Sequence, residues 1–198
     1  MTNLKKIEID DTGAWYQIGK LPEELLNIDF DILWDLHPIE HGKVKIMGKE
    51  IDVPRWQQVY LKDYYFSGIM HKKKDLPKEF IPFYKFVSMV SQNDYYNQIV
   101  INWYKDGSHY IGAHSDNEKQ LIKNSPVFSI SLGETRTFRI RDINTKEIIE
   151  DFELENGTCF VMGGNFQEKY THEITKITGR RGELTERRIN LTFRCFYE

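Results

Sequence analysis

Arg188-Ile-Asn-Leu-Thr-Phe-Arg194 decides the fold. Polar and apolar side chains alternate through it with a period of two, which is a strand pattern and not a helical one. Arg188 and Arg194 are six residues apart (194 − 188 = 6), an even number, so they share a face with Asn190 and Thr192. Leu191 and Phe193 pack on the other. Such a stripe in a strand flanked by apolar residues reads as the polar lining of a cavity. An exposed edge strand with polar teeth is the alternative.

Further strand-like runs precede it, at 98–104, 127–132, 137–141, 147–154 and 158–162, and the last run is expected to cover 188–197. Gly133, Gly157, Gly163 and Gly164 punctuate them. Many short strands at this spacing indicate a sandwich or double-sheet jelly roll. The expected class is therefore mainly β with flanking helices (α+β). Before residue 96 the texture differs. Pro22-Glu-Glu-Leu-Leu opens a short helix, with proline in the first turn. The run 43–53 alternates around Gly48 and reads as a hairpin. Phe80, Phe83, Tyr84, Val87 and Val90 recur at helical spacing and predict an amphipathic helix over 80–92.

With 198 residues, 40% hydrophobic and 14% aromatic, the chain suits one globular domain, 1–198. Within it, about 1–95 is an N-terminal extension and about 96–198 the jelly-roll core. A net charge of −3 excludes a uniformly basic nucleic-acid binder. No run of about 18 apolar residues occurs, so no membrane association is expected, and the N-terminus lacks the apolar core of a secretory signal. Cys159 and Cys195 lie in apolar runs and read as buried free thiols, which fits an intracellular protein, nucleus and cytoplasm not being distinguished. A monomer is expected.

His114-Ser-Asp116 and the distant His172 are the candidate chemistry. Two imidazoles and one carboxylate can take one face of a ferrous ion and leave the opposite positions open for a cosubstrate and dioxygen. His172 lies 58 residues beyond His114 (172 − 114 = 58) and is the only histidine downstream of Asp116. That separation suits strands facing each other across a barrel. Taken singly, either histidine could be an ordinary solvated one. A 2-oxo diacid such as 2-oxoglutarate would chelate the metal at one end and need a buried cation at the other, for which a planar arginine fork is suited. Arg194 is expected to be that anchor.

At this point a resemblance becomes specific. Asn102-Trp-Tyr104-Lys-Asp-Gly107, Ile111-Gly-Ala-His114-Ser-Asp116-Asn-Glu118, Ser129-Ile-Ser-Leu-Gly133 with Arg136-Thr-Phe138, and Arg188–Arg194 resemble, in order, the signature of AlkB-type nucleic-acid dealkylases. The resemblance runs from about Val44 to Cys195. It implies a double-stranded β-helix jelly roll under an N-terminal nucleotide-recognition lid. It also implies Fe(II) on His114, Asp116 and His172, with 2-oxoglutarate and O2 as cosubstrates. Asn102, Tyr104, Arg188, Asn190, Thr192 and Arg194 would hold the 2-oxoglutarate. The implied activity is oxidative demethylation of N-alkylated bases in DNA, with release of succinate and formaldehyde.

Val53-Pro-Arg55 and Tyr64-Tyr-Phe66-Ser67-Gly68 are similar to the lid of the family's duplex-DNA repair branch. There the Phe66 position stacks on a flipped base. Ile46-Met47-Gly48-Lys49 falls where that branch carries an apolar wedge, though not in its aromatic-tipped form. Met47, Gly48, Lys49, Arg55, Tyr64, Phe66, Asn117 and Glu118 are the implied substrate contacts. Lys43, Lys45 and Lys49, Lys72-Lys-Lys74 with Lys78, and Arg180-Arg181 with Arg187 are local basic groups that could meet phosphates or simply form solvated faces. The expected partner is DNA, duplex and single-stranded. The alternatives are RNA or tRNA bases under the same chemistry, or a non-catalytic nucleic-acid binder.

Overall fold

A computed structural model describes residues 4–91 and 95–198. Gln92, expected to close a helix, and the side chain of Ile46, expected in the wedge, lie outside the described residues.

The chain begins with β1 (Lys5–Glu8) and β2 (Ala14–Lys20), followed by helices α1 (Glu23–Leu26) and α2 (Phe30–Trp34). A hairpin of β3 (Lys43–Ile46) and β4 (Lys49–Asp52) comes next, then β5 (Trp56–Tyr60). A second hairpin of β6 (Tyr64–Phe66) and β7 (Ile69–His71) precedes α3 (Ile81–Val90). The remaining strands are β8 (Gln98–Tyr104), β9 (Ile111–His114), β10 (Val127–Gly133), β11 (Arg136–Asp142), β12 (Ile148–Leu154) and β13 (Thr158–Gly164). The chain closes with α4 (Phe166–Lys169), β14 (Tyr170–Ile174), α5 (Gly179–Glu183) and β15 (Arg188–Arg194).

Among the described residues, one large sheet runs in the order β1-β2-β13-β10-β15-β8-β5 and a smaller one in the order β12-β11-β14-β9. The crossovers and largely antiparallel pairing are those of a jelly roll. Alternation along the strands builds two cores. Ile99, Ile101, Trp103, Phe128, Ile130, Leu132, Ile189, Leu191 and Phe193 face outward from the large sheet onto α1, α2 and α3. Tyr104, Val127, Phe160 and Met162 face inward, against Phe138, Ile140 and Ile174 of the small sheet. The same inward parity puts Asn102, Ser129, Ser131, Arg188, Asn190, Thr192 and Arg194 on three neighbouring strands, β8, β15 and β10. A polar patch thus sits in the middle of the inter-sheet layer, where only a ligand or internal hydrogen bonds can satisfy it.

Several expected boundaries shift. The final strand stops at Arg194, since Cys195 and Phe196 turn to bond with Ile122 and Asn97 instead of extending the ladder. The expected helix starts at Ile81, after a tight turn over Lys78–Phe80, because Pro82 can occupy only the first turn of a helix. Strands also arise well before residue 96, and β1, β2 and β5 belong to the large sheet. The N-terminal half therefore supplies strands of the large sheet as well as two hairpins. Cys159 and Cys195 are buried and form no disulfide.

The hairpin centred on Gly48 forms as expected. Met47 and Gly48 have φ of 49° and 82°, the pair of positive values that a tight two-residue turn demands. The second hairpin leans on it, through the Lys45 N–H donating to the Ser67 carbonyl at 2.8 Å. No helix among the described residues is long and apolar enough to cross a membrane.

Candidate active site

His114 ends β9 and His172 lies in β14, and antiparallel pairing sets them directly opposite each other. Their ring centroids are 4.4 Å apart. Asp116 follows β9 and is fully enclosed, its Oδ2 3.9 Å from His172 Nε2. The 58-residue gap is thus closed by one strand pairing. Asp116 Oδ1 accepts from Arg194 Nη2 at 2.7 Å, while Gln167 Oε1 of α4 accepts from the Asp116 backbone N–H at 2.8 Å.

Burial pushes the Asp116 carboxyl up, but Arg194 foremost, then His172 and His114, bring it down to about 2. Burial and the neighbouring His114 push His172 down to about 3, and burial lowers His114 as well. At neutral pH the group is one carboxylate and two neutral imidazoles. That donor set suits a ferrous ion. Asp116 Oδ2 is buried without a hydrogen-bond partner, a position a metal would satisfy. As they stand, no three His, Cys, Asp or Glu side chains among the described residues converge into coordination geometry. One oxygen of Asp116 is committed to Arg194, and the other is what faces His172.

The cavity between the sheets is lined by His114 and His172 together with Tyr104, Arg188, Asn102, Asn190, Thr192 and Arg194. Arg188 is buried and donates from Nη2 to Ser131 Oγ at 2.9 Å, its guanidinium 5.0 Å from the centre of the Tyr104 ring. Its Nε and Nη1 have no partner. Burial brings Arg188 down to about 10, so it stays charged at neutral pH. A buried cation with two idle donors is costly unless an anion joins it, and a carboxylate matches its fork. Arg194 differs, because Asp116 already pairs with it and holds its pKa above the usual arginine range despite burial.

Other expected cosubstrate residues spend their polar atoms internally. Asn190 Nδ2 donates to Ser129 Oγ at 2.7 Å and to the Ile130 carbonyl at 2.9 Å. Thr192 Oγ1 donates to Asn190 Oδ1 at 3.1 Å. Gln98 and Gln167 carry no motif in the sequence, and Ser129 and Ser131, though part of a signature run, have no site role assigned from it. Gln98, Ser129 and Ser131 were detectable, since they share the inward parity of their strands. Gln167 lies in a short helix without a periodic signal.

Tyr64 is buried beside the site. The Arg194 guanidinium lies 5.2 Å from the centre of its ring, and its phenol sits beside Glu118 and Asp116. Burial, then the Asp116 charge, raises the Glu118 carboxyl. Phe66 is half-buried, with one face stacked on His71 at 3.9 Å and an interplanar angle of 9°. Met47 is 99% exposed at its hairpin tip, with Gly48 and Lys49 exposed beside it, so that tip touches nothing within the chain. Asn117 is exposed beside the buried Asp116. Arg55 does not join this group, for all its polar donors are turned inward.

The model of the 2OG-Fe(II) oxygenase superfamily matches residues 36–194. The chain is 28% identical over 217 residues to the DNA oxidative demethylase ALKBH2 of Bos taurus, covering 94% of this chain and 74% of that protein. It is 34% identical over 110 residues to the alpha-ketoglutarate-dependent dioxygenase alkB homolog 3 of Rattus norvegicus, covering 52% of this chain and 36% of that one. The solved structure of OsALKBH1 superposes with a TM-score of 0.60 at 18% identity, covering 98% of this chain and all of that one, which is a likeness of fold.

Proposed function

The chain belongs to the 2OG-Fe(II) oxygenase superfamily, and from that premise we propose that it oxidatively demethylates N-alkylated bases in DNA. It is a dioxygenase that uses Fe(II), 2-oxoglutarate and O2. The observation that carries the reading is the inter-sheet cavity, where the facing imidazoles and the idle donors of Arg188 share one space.

His114, His172 and the Oδ2 of Asp116 would hold the iron, and Arg188 would take the far carboxylate of 2-oxoglutarate. With iron and 2-oxoglutarate bound, O2 would be the oxidant: one of its oxygen atoms would go into succinate as 2-oxoglutarate loses CO2, and the other would become the hydroxyl on the N-methyl group, which then leaves as formaldehyde. Neutral imidazoles and a single carboxylate keep the ligand charge low. Arg194 holds Asp116 ionised and oriented. The cavity walls exclude bulk water, and no side chain need act as a nucleophile.

The substrate side supports a nucleic-acid base. Phe66 offers an aromatic ring at the lid, and Tyr64 and Glu118 stand where a base edge would be read. The exposed Met47 tip lies between Lys43, Lys45 and Lys49, an apolar wedge among cations that suits a duplex. Incubation with methylated single- and double-stranded oligonucleotides, following formaldehyde release, tests the reading. Release from both that stops when 2-oxoglutarate is left out is expected. Release from methylated RNA alone would transfer the proposal to RNA, and no release from any nucleic acid would end it.

A further inference from the structure

We propose that Arg55 is a positioning residue for 2-oxoglutarate, fixing the Asn102 amide so that its NH2 group faces the cavity as a donor. This rests on the cosubstrate reading above, and it differs from the substrate contact that the family resemblance implies for Arg55.

Arg55 lies between β4 and β5, at the root of the exposed hairpin, and is buried to 6% exposure. Its Nε donates to Asn102 Oδ1 at 2.9 Å, its Nη1 to the Tyr110 carbonyl at 3.2 Å and its Nη2 to Gln57 Oε1 at 3.2 Å. All three acceptors are neutral, so the cation is held in place without being neutralised. Nothing in this arrangement points to solvent or to a phosphate.

A guanidinium can only donate, so the side of Asn102 that meets it must be the carbonyl oxygen. The amide NH2 is then presented away from Arg55. Asn102 lines the cavity with Arg188 and Arg194, and β8 pairs it with Asn190 of β15. An unconstrained amide could turn either its oxygen or its nitrogen toward a bound dianion, and the oxygen would repel it. Arg55 removes that choice. Its bond to Tyr110, the residue before β9, also ties the strand of Asn102 to the strand of His114.

The test uses the whole chain loaded with Mn(II), a redox-inert substitute for Fe(II), and titrates 2-oxoglutarate and, separately, a methylated single-stranded oligonucleotide. Arg55→Gln is expected to weaken 2-oxoglutarate about tenfold while oligonucleotide affinity stays within about twofold. Combining Arg55→Gln with Asn102→Ala should give the 2-oxoglutarate affinity of Asn102→Ala alone, because the effect passes through that amide. Additive losses would mean a merely structural role and overturn the proposal. So would lost oligonucleotide binding with 2-oxoglutarate affinity intact. Should Arg55→Gln fail to fold, Asn102→Asp carries the test. It keeps a partner for Arg55 but offers the cavity no donor, so 2-oxoglutarate binding should be lost; binding at the parental level overturns the proposal. If the parent protein itself bound no 2-oxoglutarate, the cosubstrate reading would fall and the proposal with it.

Discussion

Arg188 and Arg194 are chemically identical, share a face, and have different environments. Arg194 has its carboxylate inside the protein, at Asp116, whereas Arg188 has a hydroxyl, a ring and two idle donors. From the sequence alone Arg194 is the expected carboxylate anchor, since parity says that two residues share a face but not which internal acid lies nearby. The structure separates their expected effects. Arg188→Lys keeps the charge but loses the fork, so it should weaken 2-oxoglutarate by about tenfold and leave metal affinity unchanged. Arg194→Lys should weaken metal binding too, because Asp116 loses its partner. Titrating metal and 2-oxoglutarate separately into both variants checks this, and the reverse pattern would exchange the two roles.

At the scale of elements, the legible parts were those with a strict period or an obligatory turn. The stripe of β15 was readable from alternation, and the hairpin of β3 and β4 from Gly48. The two strands that carry the histidines, Ile111–His114 and Tyr170–Ile174, were not. The first is short and holds glycine and alanine; the second follows directly on α4 without a punctuating residue. Strand β5 was hidden because Gln57 occupies an inward position, where Arg55 and Gly42 hold it. A Cβ on Gly42 would come within 2.3 Å of the Gln57 side chain, so the hairpin root is packed tightly onto β5. The tip, in contrast, is unencumbered. Met47→Ser should therefore leave the melting temperature unchanged while lowering activity on duplex DNA and sparing single strands. A duplex must be unstacked, at a cost of a few kcal/mol, before its base can enter a pocket. Equal loss on both substrates would mark the hairpin as structural, and no loss on either would remove the wedge from the account.

Across the whole molecule, charge is distributed unequally. The chain carries a net −3, yet among the described residues the buried charged ones are Arg55, Arg136, Arg188 and Arg194 against Asp116. Arg136 donates from Nη1 and Nη2 to the Asp106, His109 and Thr175 carbonyls, with its Nε left without a partner. The interior remains short of negative charge, as a site for a dianion should be. The half-buried His71 gives the fold a pH dependence of definite sign. Burial lowers His71 to about 4 from an ordinary value of 6.5. Between those two values the unfolded chain takes a proton that the folded chain refuses, so stability should fall as pH drops through that window. The melting temperature of the metal-free protein should decline from pH 6.5 to pH 4, and His71→Leu should flatten the decline; an unchanged slope in that variant would place the effect elsewhere. The proposed function has this cavity couple 2-oxoglutarate turnover to removal of a methyl group from a nucleic-acid base. Its most direct test is to count succinate and demethylated base together, the latter by mass spectrometry of a methylated oligonucleotide. One succinate for each methyl group lost is expected, with neither product formed by Asp116→Ala. Succinate accumulating while the oligonucleotide keeps every methyl group would contradict it.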